Sequence, residues 1–202
     1  MKIADRSLSI LHPASAEDLI NEADFDRDER LPYWAELWPS SRTLAECMLA
    51  TPGNGRSLLE LGCGAGLVST CASLSGFAVV ASDYYEDALR FAEVNSWRNN
   101  APTPRGLLLD WRHLPAALER FDVVIASDVL YEQPYGGLVA RAIDASLADD
   151  GVAFVADPGR VARDNFTQAI DSLHLSVADR RDLAYEDGPI RQTISVFEIR
   201  RR

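Results

Sequence analysis

The sequence predicts an α/β protein built on a seven-stranded, mostly parallel sheet with helices on both faces and one antiparallel strand near the C-terminus. Three observations carry this. From residue 57 onward, short apolar runs alternate with stretches of helical periodicity. Those runs are apolar on both faces, as in parallel strands covered on each side. The tail instead alternates around Asp187-Gly188-Pro189, which marks a closing hairpin.

The elements follow in order. "SLLEL" (57–61) reads as a buried strand, followed by a glycine-rich turn and a helix from about Gly66 to Ser75. "FAVVASD" (77–83) is a second strand and 86–98 a second helix, completing a βαβ unit. "GLLLD" (106–110), "FDVVIASD" (121–128) and "VAFVAD" (152–157) continue the sheet, with helices over 134–147 and 160–173. The tail segments "LSVADRRDLAYEDG" and "IRQTISVFEIR" complete the seven strands. At 202 residues the chain is expected to form one domain, with 1–50 a cap or lid and 51–202 the core.

Composition narrows the function classes. Hydrophobic residues make up 47% and charged residues 25%, close to globular averages. A net charge of −11 argues against a nucleic-acid partner, because phosphate backbones are held by clustered Lys and Arg. No apolar run reaches the roughly 18–20 residues that span a bilayer, and the N-terminus lacks the apolar core of a secretory signal. No membrane partner and a cytoplasmic location are therefore expected. Cys47, Cys63 and Cys71 form no CxxC and no metal-ligand spacing with His12, His113 or His174, and no general base can be assigned among those histidines. Of the 20 basic residues only Lys2 is a lysine, which fits a base-composition bias or an avoidance of self-modification.

Candidate ligand-binding residues gather at the strand ends. In "LLELGCGAGL" (58–67), Gly62, Gly64 and Gly66 let the backbone turn tightly against a ligand, and the helix start offers free N–H groups to an anion. Glu60 stands two residues before the first glycine. The spacing is GxGxG rather than the dinucleotide GxGxxG. Asp83 ends the second strand 21 residues after Gly62, where an acid accepts hydrogen bonds from ribose hydroxyls. Asp110 and Trp111 end the third strand, offering an acceptor and a flat apolar face for a base; Trp111 is otherwise a core or lid residue.

"LELGCGAG", "SD" at 82–83, "LDW" at 109–111 and "ASDVLYE" at 126–132 together resemble the class I, Rossmann-like methyltransferases that use S-adenosylmethionine. The order of these motifs after "W…LA" is similar to that of the methyltransferase-like protein lysine methyltransferases. The resemblance covers about residues 31–157, and Asp128-Val129-Leu130-Tyr131 is its narrower marker. It implies that Gly62, Gly64 and Gly66 surround the methionine part of the cofactor, Asp83 holds the ribose, Asp110 and Trp111 lie at the adenine, and Ser127 touches the cofactor from below. Trp38 would cover it from the N-terminal segment, a sensible partner for a sulfonium cation. The alternative for Trp34 and Trp38 is ordinary packing of an N-terminal helix.

The fourth strand end bears on the acceptor. Ser127-Asp128-Val129-Leu130-Tyr131 replaces the Asn/Asp-Pro-Pro-Tyr/Phe of enzymes that methylate DNA bases or glutamine. Asp128 and Tyr131 are the candidate catalytic residues. Only a neutral amine attacks, whereas a carboxylate favours the ammonium form, with an unperturbed lysine pKa of about 10.4. Asp128 is accordingly assigned to capture and orientation, or else caps the following turn. Glu36 and Glu132 add charge to the entrance or are solvated surface acids. The expected partner is a protein substrate with a lysine or, because "RLPYWAELWPSSRTLAE" also resembles nicotinamide-type enzymes, a small-molecule amine. A non-catalytic cofactor-binding scaffold and an NAD-dependent oxidoreductase are the remaining readings, the last disfavoured by GxGxG.

Overall fold

A computed structural model describes residues 1–15, 19 and 32–202; residues 16–18 and 20–31 of the expected N-terminal cap lie outside the described residues. Two-residue strands β1 (Lys2–Ile3) and β2 (Arg6–Ser7) form a small hairpin that buries Ile3 and Leu8. A 3-10 turn over Tyr33–Ala35 precedes helix α1 (Pro39–Leu49), which starts with proline at its first position, where the missing N–H costs no hydrogen bond.

The core then runs β3 (Ser57–Leu61), α2 (Leu67–Leu74), β4 (Ala78–Asp83), α3 (Glu86–Arg98), β5 (Arg105–Leu108), β6 (Phe121–Ser127), α4 (Tyr135–Ser146), β7 (Leu147–Asp157), α5 (Arg163–Ser172), β8 (Leu175–Asp187) and β9 (Ile190–Arg201). The strands form one seven-stranded sheet in the order β5-β4-β3-β6-β7-β9-β8. All neighbours from β5 to β7 are parallel, and β9 is antiparallel to both β7 and β8. The fold class is thus the one the sequence predicts, with β9 as the antiparallel strand.

The inner strands β3, β4 and β6 are buried on both faces because successive side chains alternate between two cores, whereas β5 and β8 at the sheet edges are largely exposed. Leu58, Val123 and Ile125 join Leu44, Met48, Val68 and Cys71 of α1 and α2. Leu59, Leu61, Val124 and Ala126 join Val139 and Ile143 of α4 and Phe166 and Ile170 of α5. No described helix is long and apolar enough to cross a membrane.

Three boundaries differ from expectation by two residues or more. β7 begins at Leu147 rather than 152, because Leu147 pairs with Phe121 and the polar residues that follow are accommodated as an irregularity before Val152 pairs with Val123. β5 ends at Leu108, and Asp110 turns the chain by accepting the Arg112 N–H. α5 begins at Arg163 instead of 160, because the Asp157 carboxylate accepts the N–H groups of Gly159 and Arg160 and holds that stretch in a turn.

Candidate functional site

Strand order reverses between β3 and β6, and in open α/β sheets such a point opens a crevice beyond the carboxyl ends of the strands. Register decides what lines it. Leu61 pairs with Ser82 and with Ala126, and Ser127 pairs with Ala156. Gly62, Asp83 and Ser127 therefore stand level, with Asp128 and Asp157 one step beyond. A cavity of about 1010 Å³, its open mouth included, lies there. Gly62, Gly64, Asp83, Ser127, Asp110, Trp111, Trp38, Asp128 and Tyr131 are among the residues that line it.

The turn after β3 is tied to β4. Gly64 donates its N–H to Asp83 Oδ2 at 3.0 Å, Tyr85 donates to Oδ1 at 3.1 Å, and Cys63 donates to the Ser82 carbonyl at 2.9 Å. Gly62 has φ +70°, and a Cβ there would stand 3.1 Å from Val129 Cγ1 and 3.4 Å from the Trp111 ring. The cavity reaches the backbone because that Cβ is missing.

The structure places Glu60 and Gly66 away from the cavity lining. Glu60 is buried and accepts a hydrogen bond from the Ser69 hydroxyl of α2. Desolvation raises its pKa to about 8, against the lowering effect of Ser69, with the nearby Asp83 charge adding to the rise. It works as a buried link between β3 and α2. Gly66 opens α2 with φ +77°, and a Cβ on it would fall 2.3 Å from Ala92 Cα. Its bareness serves the approach of α3 to the turn.

Asp110 accepts Nε and Nη2 of Arg112, at 2.9 and 2.8 Å, and pairs with His113 Nδ1 at 3.1 Å. Although desolvation acts to raise it, these bonds hold the Asp110 carboxyl well below the usual carboxylate range. Beside it, Trp111 Nε1 is buried and has no hydrogen-bond partner among the described residues.

The two N-terminal tryptophans divide their work. Trp34 lies against Tyr85 and Phe91 at centroid distances of 6.3 and 5.5 Å and sets its carbonyl over Gly64, anchoring the segment on α3. Trp38 donates Nε1–H to the Tyr33 carbonyl at 3.0 Å. From Trp38 a run of edge-to-face rings crosses the cavity: Trp38 to Tyr33 at 6.2 Å, Tyr33 to Tyr131 at 5.1 Å, Tyr131 to Tyr135 at 5.0 Å and Tyr135 to Trp111 at 5.8 Å. Burial, reinforced by Tyr135 and by the charges of Asp83 and Glu132, pushes the Tyr131 hydroxyl far above its ordinary pKa, so it stays neutral.

Asp128 sits at φ +60°, a left-handed conformation that Asp and Asn tolerate better than most residues. Arg160 Nε donates to its Oδ1 at 2.6 Å, and the same guanidinium lies 5.1 Å from the centre of the Trp38 ring. Oδ2 is buried without a hydrogen bond of regular geometry, as is the Ser40 hydroxyl, whose interaction with the carboxylate nonetheless helps to keep it ionised. Desolvation still dominates, and the Asp128 pKa lies above its ordinary value despite Arg160 and Ser40. The carboxylate expected to capture the amine thus carries a resident cation.

Sequence reasoning missed Tyr33, Tyr135, Arg160 and Asn95. Asn95 binds the Leu11 backbone through both ends of its amide and also donates to the Ala65 carbonyl at 2.8 Å, joining the N-terminal stretch to the glycine turn. Tyr135 had a weak signal, an aromatic at the first position of a helix four residues after Tyr131. Arg160 had only its place three residues beyond the end of the strand next to β6.

A family model for a methyltransferase domain matches residues 28–187. Among curated proteins, the chain is similar to the electron transfer flavoprotein beta subunit lysine methyltransferase of Danio rerio, 31% identical over 134 residues, covering 64% of this chain and 51% of that protein. It is also similar to the protein-lysine methyltransferase METTL21E of Mus musculus, 33% identical over 117 residues, covering 51% and 47%. The chain spans about half the length of these curated relatives. Among solved structures, the magnesium protoporphyrin IX methyltransferase of Synechocystis PCC 6803 shares the fold with a TM-score of 0.64 at 19% identity, over 91% of this chain and 94% of that one.

Proposed function

The chain belongs to the methyltransferase-domain family, and from that premise we propose that it is an S-adenosylmethionine-dependent N-methyltransferase whose acceptor is a lysine side chain of a protein. The observation that carries this reading is the junction of two surfaces in one cavity: the bare glycine turn with Asp83, and the run of rings ending at Tyr131 and Asp128. The curated relatives named as lysine methyltransferases support it.

The residues fit the cofactor. Space at Gly62 that a Cβ would fill, the Asp83 carboxylate and the unpartnered Trp111 Nε1 form an apolar slot with a few convergent polar groups. In this reading Asp83 accepts from the ribose hydroxyls, Asp110 and Trp111 flank the adenine, and Trp38 covers the reactive end. When bound, the cofactor supplies a methyl group on a sulfonium sulfur, which leaves as a neutral thioether while the amine nitrogen gains the methyl and gives its proton to water.

The protein's own contribution is alignment in a dry site. The ring faces of Tyr33, Tyr131 and Tyr135 suit the aliphatic stem of a lysine and attract its cationic head during entry. The neutral Tyr131 hydroxyl orients the amine. Asp128 faces the cavity with Arg160 as its paired cation, held between it and Trp38. The test is incubation of pure protein with methyl-labelled S-adenosylmethionine and a cell extract, followed by separation. Label in the protein fraction supports the reading, and label confined to small molecules transfers it to a free amine.

A further inference from the structure

Arg160 does not line the cavity; it sits behind two residues that do, Asp128 and Trp38. Its seat is built. The fully buried Asp157 accepts the Arg160 and Gly159 N–H groups and Arg163 Nε, the last at 2.6 Å, so the turn from β7 presents the Arg160 side chain to the end of β6. The guanidinium then lies between the Asp128 carboxylate and the Trp38 face, an arrangement with the charge complementarity expected for an incoming lysine ammonium.

We propose that Arg160 is a built-in counter-ion: by pairing with Asp128 it cancels the charge that would otherwise hold the acceptor amine as an ammonium, and so sets the pH range in which the amine attacks. The inference rests on the amine-acceptor reading above. It resolves the conflict between a carboxylate near the acceptor and the need for a free lone pair, since a carboxylate with a resident cation no longer favours a second one. Other charges around this corner do not take over the part. Asp157 acts on Asp128 from β7 but is paired with Arg163, and Ser40 reaches it from α1 without a charge. Asp83 from β4 and Glu132 beyond β6 act on Tyr131, and Glu36 lines the mouth from the N-terminal segment. Arg160 is thus a positioning residue, acting through Asp128.

Two measurements test it. First, n-butylammonium, a lysine side-chain surrogate, is titrated by NMR into the cofactor-free protein. The expected result is weak binding to wild type and R160K, at least tenfold tighter binding to R160Q, and loss of that gain in the R160Q/D128N double variant. Equal affinity in wild type and R160Q overturns the inference. Second, methyl transfer from S-adenosylmethionine into extract proteins is followed between pH 6.5 and 10. R160Q should be slower than wild type by about tenfold at pH 7.5 and recover most of that loss near pH 10, with R160K close to wild type. A loss in R160Q that is the same at every pH means Arg160 serves only to seat Trp38. Should wild type label no protein lysine, the acceptor reading fails while the butylammonium result still decides the counter-ion.

Discussion

Gly64 donates its backbone N–H to Asp83 Oδ2 across 3.0 Å, so the glycine turn after β3 and the acid ending β4 form one hydrogen-bonded unit. Asp83 therefore fixes the turn, and in the proposed reading it also offers its carboxylate to a ribose. Asp83→Ala is expected to weaken S-adenosylmethionine binding by about 1.5–3 kcal/mol, the range for hydrogen bonds to a charged group. Titration calorimetry on the folded variant checks this. Unchanged affinity would remove Asp83 from the site.

Trp38 is held by Tyr33 and Arg160 at the cavity's edge, so its emission should respond to a ligand beneath it. Adding S-adenosylhomocysteine is expected to change the protein's fluorescence, with most of the change lost in Trp38→Phe. A Trp38→Phe variant that keeps the whole response assigns it elsewhere, with Trp111 the natural source. Trp38→Ala should bind the product more weakly while unfolding as cooperatively as wild type.

The glycines of the turn should separate by phenotype. In Gly66→Ala the new Cβ meets the Ala92 backbone at 2.3 Å while the residue is kept at φ +77°. A loss of stability of roughly 2–4 kcal/mol follows from overpacking and left-handed strain. Gly62→Ala should lose less stability, since its nearest neighbour is the Val129 side chain at 3.1 Å, but more ligand affinity. Urea unfolding and calorimetry on both variants distinguish the roles, and equal patterns would contradict the division.

Glu60 makes stability depend on pH. Its folded-state pKa of about 8 exceeds the ordinary 4.5, so between those values the folded protein keeps a proton that the unfolded chain releases. Its contribution is complete below about pH 4.5 and lost as the pH climbs through 8. Glu60→Gln cannot ionise and should flatten the decline across that window, by an amount on the order of a few kcal/mol at its upper end. Denaturation curves of the two proteins that run parallel from pH 5 to 9 would show that Glu60 ionises freely.

How far the site could be read from the sequence follows from which forces place each residue. "SLLEL" and the helix over 86–98 were legible to the residue, because their patterns of burial are local. Asp83, Ser127 and Asp128 were legible as strand ends, and the parallel register brings them together at one edge of the sheet. Glu60 was legible as an acid two residues before a glycine turn, but only the packing of α2 shows Ser69 as its partner. Arg160 was illegible for a different reason. It lies 32 residues from Asp128, and the β6–β7 pairing that supplies the proximity has no local sequence signal; Asp157-Pro158-Gly159 marks a turn but not what Arg160 faces across it. Tyr33 and Tyr135 fall between these cases, since aromatic spacing suggests contact but not the face on which it occurs.

Asp128→Asn preserves size and suits φ +60°, so the variant should fold and bind the cofactor with near wild-type affinity. Methyl transfer should fall by a factor of about 10² or more, corresponding to roughly 3 kcal/mol lost at the transition state, because the Arg160 cation is then left uncompensated beside the incoming amine. Tyr131→Phe, which loses only a hydroxyl, should show a milder loss. Calorimetry beside a transfer assay separates the two effects, and an Asp128→Asn variant as fast as wild type removes the Asp-x-x-Tyr segment from the reaction.

The most direct measurement is mass spectrometry of the proteins in an extract after incubation with the pure enzyme and methyl-labelled S-adenosylmethionine, with Asp128→Asn run in parallel. Labelled methyl groups are expected on lysine side-chain nitrogens of one or a few proteins, strongly reduced in the variant. Label found only on free small-molecule amines, or on protein lysines equally in both samples, would contradict this expectation.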